Sequence, residues 1–228
     1  AGECWYVLEQ LPQIRYAVTY TGSMVQDLAT GAVLYHCPLQ ADDLRVIYSQ
    51  LRQYDGLWSL FADGEVYNPR AQMAQFGRYY PEELRELFEH SHTYIDDMDR
   101  LIAERTAPVE KVYISYCSKE ESVRAREAAA KLPYYATGAG FADLEVMNPA
   151  TNKGFALGAL ADALGIAQSE VLAIGDSSND AAMLAYAGVG VAMANGEEAL
   201  KKIADRIAPS NEAGGVADIL EMAVRGDL

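Results

Sequence analysis

The side chains most able to do chemistry in this 228-residue chain fall in two short stretches. The first is Gly175-Asp176-Ser177-Ser178-Asn179-Asp180, which follows the apolar run Val171–Ile174 and leads into a helix-forming segment. In an open parallel sheet ligands gather at the carboxyl ends of strands, and this spacing puts Asp176 there. A carboxylate at that point suits a hard cation such as Mg²⁺, which takes oxygen ligands and keeps several of its waters. A blander reading stands beside this one, with Asp180 as an acid favoured by a helix N-terminus and Ser177 or Ser178 as its N-cap. The second stretch is Asn152-Lys153-Gly154. Thr151 or Asn152 caps a helix and leaves Lys153 in its first turn, where a cation opposes the helix dipole. Local structure gives no reason for that lysine. An ammonium beside the free N–H groups of a helix start, by contrast, makes a compact anion site of the kind a phosphate needs.

The elements that must hold these residues are legible in the last third. Asn152–Leu164 reads as a helix, Val171–Ile174 as a strand, Ala181–Ala187 as a helix and Val189–Ala192 as a strand. Glu197–Ala204 (helix), Arg206–Ala208 (strand) and Gly215–Val224 (helix) complete the series. Strand and helix alternating at this rhythm imply a parallel sheet with right-handed crossovers and helices on both faces. The middle has another texture. Ala41–Tyr54 reads as a helix, and Leu57–Ala62 and Glu65–Asn68 form a hairpin around Asp63-Gly64. Pro81–His90 is a helix with an acidic start, Lys111–Cys117 a strand, Lys119–Leu132 a helix, and Tyr134–Thr137 and Asp143–Met147 two strands. At the front, Cys4–Leu11 has helical spacing. Tyr16–Tyr20 reads as a short strand, and Met24–Leu34 holds two strand-like runs around Ala29-Thr30-Gly31. The expected fold class is α/β, a doubly wound, Rossmann-like parallel core of residues 1–37 and 142–228 with an inserted α+β cap of residues 38–141.

Composition narrows the partners. Against 18 Lys and Arg stand 33 Asp and Glu, a net charge of −15. That balance disfavours nucleic acid or an anionic membrane surface, which require clustered cations, but leaves room for a small phosphorylated ligand held locally. No apolar run approaches the roughly 20 residues of a membrane span. Cys4, Cys37 and Cys117 are scattered and form no Cys-x-x-Cys pair, which points to buried thiols in a reducing, cytoplasmic setting rather than to zinc or disulfides.

The run from Leu144 to Gly215, with LEVMNPATNKGFAL, VLAIGDSSNDAAMLAYAGVGVAMANG and APSNEAGGV in order, resembles the C-terminal core of the haloacid dehalogenase phosphatases of the Cof type. The front segment YAVTYTGSMVQDLATGAVLYHCPL resembles the strand and hairpin that lead into that family's cap, and the middle matches the cap loosely. The resemblance implies a Mg²⁺-dependent phosphatase acting through an aspartyl phosphate on a small phosphorylated metabolite such as a sugar phosphate. It implies that Asp176 ligates the metal, that Lys153 steadies the nucleophile and the phosphoryl group, and that Asp180 orients Lys153 or a metal-bound water. Asn179 would touch the substrate phosphate or the metal's water shell, and Asn211 would lie near the site. Thr21-Gly22 stands where the family commonly reads Asn-Gly, so Thr21 carries no implied role. The family's Asp-x-Asp-Gly-Thr motif, which supplies nucleophile and acid–base, does not occur in the sequence. Neither Asp63-Gly64 nor Asp97-Met98-Asp99 replaces it. Two expectations follow: roughly 40–45 residues, the size of a strand–helix–strand unit, belong in front of Ala1, or the chain is a non-catalytic fragment or pseudoenzyme that binds a ligand on the same scaffold.

Overall fold

The computed structural model describes residues 8, 10–138 and 142–228. The chain divides into two compact units, Ala1–Thr151 and Asn152–Leu228. Most of the helix read over Cys4–Leu11, and part of the Gly138–Gly140 connection, lies outside the described residues.

The first unit opens with an antiparallel three-stranded sheet of β1 (Tyr16–Thr19), β2 (Met24–Asp27) and β3 (Val33–His36), with a register shift at Val25/Gln26. Then come α1 (Ala41–Leu51), β4 (Gly56–Ala62), β5 (Glu65–Pro69), α2 (Arg70–Met73), α3 (Arg85–Ser91), β6 (Thr93–Ile95), α4 (Met98–Glu104), β7 (Lys111–Tyr116), α5 (Lys119–Ala129), β8 (Tyr135–Thr137) and β9 (Asp143–Met147). A six-stranded sheet runs in the order β6-β5-β4-β7-β9-β8, with only the β5–β6 pair parallel. The β4–β5 turn is the expected one, with Asp63 and Gly64 both at positive φ (58° and 82°). Period-2 alternation gives this sheet two unlike faces. Trp58, Leu60, Val112, Ile114, Leu144 and Val146 pack with Leu44 and Ile47 of α1, Ile102 of α4 and Ala125 of α5. The alternate positions carry Ser59, Lys111, Tyr113, Ser115, Asp143 and Glu145. There Lys111 Nζ meets Glu145 Oε1 at 3.1 Å, and Thr21 Oγ1 donates to Glu145 Oε2 at 2.6 Å.

Two expectations need correction. Strand β9 pairs with both β7 and β8, so residues 143–147 belong to the six-stranded sheet rather than to the core. Residues 1–37 also group with the first unit. The Ser23 hydroxyl donates to the Glu110 carbonyl, Thr151 Oγ1 donates to the Cys37 carbonyl, and Thr21 is bonded to Glu145. The division therefore falls at Thr151/Asn152 and not at residue 142.

The second unit holds α6 (Lys153–Leu164), β10 (Leu172–Gly175), α7 (Ala181–Tyr186), β11 (Val189–Met193), α8 (Glu198–Lys201), β12 (Arg206–Ala208) and α9 (Gly215–Arg225). The strands form a parallel sheet in the order β10-β11-β12. Ala173 and Ala192 face Leu157 of α6, Leu184 of α7 and Leu200 of α8. The alternate residues Val191, Met193 and Ala208 face Ile219 and Met222 of α9. Both faces are thus covered by helices, and the fold is of the α/β class. Among the described residues no helix is long and apolar enough to cross a membrane.

Candidate active site

The carboxyl end of β10 gathers the second unit's polar side chains. Strand β10 ends at Gly175, and a 3₁₀ turn over Ser178–Asp180 leads into α7. A Cβ at Gly175 would lie 2.5 Å from Asp180 Cβ and 2.8 Å from its Oδ2, so only glycine lets Asp180 fold back over the strand end. There Asp180 Oδ2 accepts from the N–H of Asp176 at 3.0 Å and of Ser177 at 3.2 Å. Asp180 is 4% and Asn179 7% exposed, whereas Asp176 is exposed.

Helix α6 delivers the cation. Asn152 is its N-cap, with Oδ1 accepting from the Phe155 N–H at 2.9 Å, which leaves Lys153 as the first helical residue. Gly154 lets α6 press against α7, since a Cβ there would meet the Ala182 carbonyl oxygen at 2.4 Å. That close approach puts Lys153 Nζ 2.5 Å from Asp180 Oδ1 and 3.1 Å from Asn179 Oδ1. The pair lies at the helix N-terminus with the lysine side chain 29% exposed, so the ammonium is anchored from beneath and still reaches solvent.

Lys153, Asn179 and Asp180 are therefore brought together by direct hydrogen bonds, and Asp176 joins them through its backbone. The Asp176 carbonyl accepts from the Glu197 N–H at 2.8 Å, while its carboxylate has no hydrogen bond or ion pair among the described residues. Asn211 follows β12 and lies at the same edge of the parallel sheet. Its N–H donates to Asn195 Oδ1 at 3.0 Å, but its side chain takes no part in the cluster. Sequence reading missed Ser177 as a hydrogen-bond donor within the cluster, Asn195 as the anchor of the Asn211 loop, and the steric roles of Gly154 and Gly175. The glycines beside Lys153 and Asp176 were the visible signal.

The donor set bears on a metal. Among the described residues no three His, Cys, Asp or Glu side chains are placed to share one. This edge offers a cation the open Asp176 carboxylate, a set that suits Mg²⁺ when waters and a substrate phosphate complete the shell.

Comparison with known proteins bears on the same residues. The family model of the haloacid dehalogenase-like hydrolases matches residues 3–220. YxeH of Bacillus subtilis (strain 168) is 27% identical over 215 residues, 92% of this chain and 76% of its own length. The phosphoglycolate phosphatase of Archaeoglobus fulgidus is 44% identical over 82 residues, 36% of each chain. A solved structure of a haloacid dehalogenase subclass IIB sugar phosphatase superposes with a TM-score of 0.76 at 15% identity, covering 98% of this chain and 80% of that one.

Proposed function

We propose that this chain, which belongs to the haloacid dehalogenase-like hydrolase family, carries the phosphate-holding half of a Mg²⁺-dependent phosphatase for a small phosphorylated metabolite, a sugar phosphate in first place. The single observation behind this reading is the Lys153–Asp180 pair at the N-terminus of α6, beside the open Asp176 carboxylate. A lysine held by a buried carboxylate does not fold away onto the surface, so one face of the ammonium stays available to a phosphoryl oxygen. Asp180 itself is committed to Lys153 and two backbone N–H groups, which makes it the group that orients the lysine. Asp176 is the residue to hold Mg²⁺, which would neutralise charge on the phosphoryl oxygens. The names of the Archaeoglobus relative, a phosphoglycolate phosphatase, and of the structural neighbour, a sugar phosphatase, are in keeping with that substrate class.

The attacking group is a separate matter. An aspartyl-phosphate route needs a carboxylate in line with phosphorus, and the 228 residues contain no Asp-x-Asp-Gly-Thr. On this reading the attacking carboxylate is not one of the cluster around Lys153, and a segment bearing that motif is what would supply it. The experiment is an aryl-phosphate assay with Mg²⁺ on this chain and on a version extended by such a segment. Turnover by the extended chain alone supports the reading, and turnover by neither refutes it.

A further inference from the structure

We infer that the loop between β11 and α8 positions Asp176 for a divalent cation, through the bare Cα of Gly196 and the backbone N–H of Glu197. The inference rests on the metal-ligand reading of Asp176 above and says what fixes that residue in place.

Asp176 follows a strand end, where a main chain left to itself could turn. Here both of its backbone hydrogen-bonding groups are taken. Its N–H donates to Asp180 Oδ2 at 3.0 Å, and its carbonyl accepts from the Glu197 N–H at 2.8 Å. The two partners come from different places, the turn before α7 and the loop after β11, so the main chain is gripped from two sides. The exposed carboxylate therefore leaves from a fixed point. A ligand held in this way loses little further main-chain freedom when a cation binds.

Gly196 makes the grip possible. It is not at positive φ, so conformation does not call for glycine there. Space does. A Cβ on Gly196 would stand 2.7 Å from the Asp176 carbonyl oxygen and 2.9 Å from its Cα, and both obstacles are backbone. The loop itself is anchored on its other side. The Ala194 N–H donates to the Ala208 carbonyl at 2.9 Å, and the Gly196 N–H donates to the Met193 carbonyl at 2.9 Å. Asn195 Oδ1 accepts from the Asn211 N–H at 3.0 Å. An added side chain at Gly196 thus finds relief at the Glu197–Asp176 bond, which opens.

The test separates that N–H from the side chain that carries it. Glu197 has φ −64°, the value proline imposes. Glu197→Pro therefore removes the N–H at a compatible backbone angle, while Glu197→Ala removes the same carboxylate and keeps the N–H. The ¹³C,¹⁵N-labelled 228-residue chain is titrated with Mg²⁺ and read at the Asp176 side-chain carboxyl resonance, with circular dichroism to confirm folding. Gly196→Ala and Glu197→Pro are each expected to weaken Mg²⁺ about tenfold, the low end of what losing a group that orients a metal ligand costs. Glu197→Ala should weaken it about threefold or less, because an exposed charge is screened. Equal affinities in the proline and alanine variants would overturn the inference, as would wild-type affinity in Gly196→Ala. Should Gly196→Ala unfold, the proline and alanine pair decides alone. If Mg²⁺ leaves the wild-type Asp176 resonance unmoved, the metal reading fails, and the positioning claim is read on the metal-free chain. There Gly196→Ala and Glu197→Pro should shift the Asp176 carbonyl-carbon resonance, and Glu197→Ala should not. A resonance unmoved by the first two, or moved as far by all three, would overturn the claim.

Discussion

Replacing Gly154 with alanine tests how the lysine is delivered. The added methyl would stand 2.4 Å from the Ala182 carbonyl oxygen, 2.7 Å from its carbon and 3.1 Å from its Cβ, where ordinary contact begins at 3.4 Å. The obstacle is backbone, which cannot swing aside, so relief requires α6 and α7 to part by on the order of 1 Å, the difference between those contacts. Overpacking of this kind costs about 1–3 kcal/mol, and the better helix propensity of alanine returns at most ~1 kcal/mol. The net expectation is a loss of about 1–2 kcal/mol in urea denaturation. The same parting stretches the Lys153 contacts of 2.5 and 3.1 Å toward or past hydrogen-bond length, so phosphate affinity should fall about tenfold, as expected when a charge-assisted hydrogen bond is lost. Gly165→Ala is the control. Gly165 ends the same helix at φ 67° with nothing within 4 Å of its Cβ, so it should cost ~1 kcal/mol through backbone strain and leave phosphate binding intact. A Gly154→Ala protein as stable as wild type, with unchanged phosphate affinity, would refute the packing argument.

Lys153→Met should remove phosphate binding and destabilise the second unit, because Asp180 keeps only its N–H partners in a buried position; equilibrium titration and urea melts read the two effects. Lys111→Met in the first unit should cost about 3–5 kcal/mol by stranding the buried Glu145 carboxylate, and Lys111→Met with Glu145→Leu should recover most of that loss in thermal melts. The Tyr79 hydroxyl, at 2.8 Å, and the Arg78 guanidinium hold the Asp55 carboxyl below its ordinary range. Its stabilisation is therefore present above the unfolded carboxyl value of about 4 and lost as pH falls through the lower folded value. Asp55→Asn should flatten that acid limb in a plot of Tm against pH, and an unaltered limb would show that other carboxyls set it.

The second unit was legible because two signals agree there. Each apolar run is short enough for a buried strand, and each is followed by helical spacing, so β10, β11, β12 and most of their helices lie within a residue or two of their expected places, while α8 ends at Lys201, three residues before the expected Ala204. The positions of Asp176, Lys153 and Asp180 were legible for the same reason, since strand ends and helix starts fix where a residue stands. Asn211 was not, because a loop's side-chain direction depends on an anchor, here Asn195, that no local pattern shows. The short β6 and α4 escaped notice, since three strand residues or seven helical ones carry too little periodicity. The boundary of the first unit was misjudged at β9. Its alternation is visible in the sequence, but its pairing with β7 is a long-range choice. Thr21 shows the same limit. A β-branched residue at φ 57° is disfavoured locally, and its hydroxyl bond to Glu145 comes from 124 residues away.

The most direct measurement is Mg²⁺-dependent hydrolysis of an aryl phosphate by three proteins: the 228-residue chain, the chain extended by an Asp-x-Asp-Gly-Thr segment, and the extended chain with Asp176→Ala. The expected result is background turnover by the first, since loss of an acid–base group alone forfeits about 10²–10⁴-fold, restored turnover by the second, and its loss in the third. Robust Mg²⁺-dependent turnover by the 228-residue chain alone would contradict the account and make Asp63, Asp97 and Asp99 the first residues to mutate.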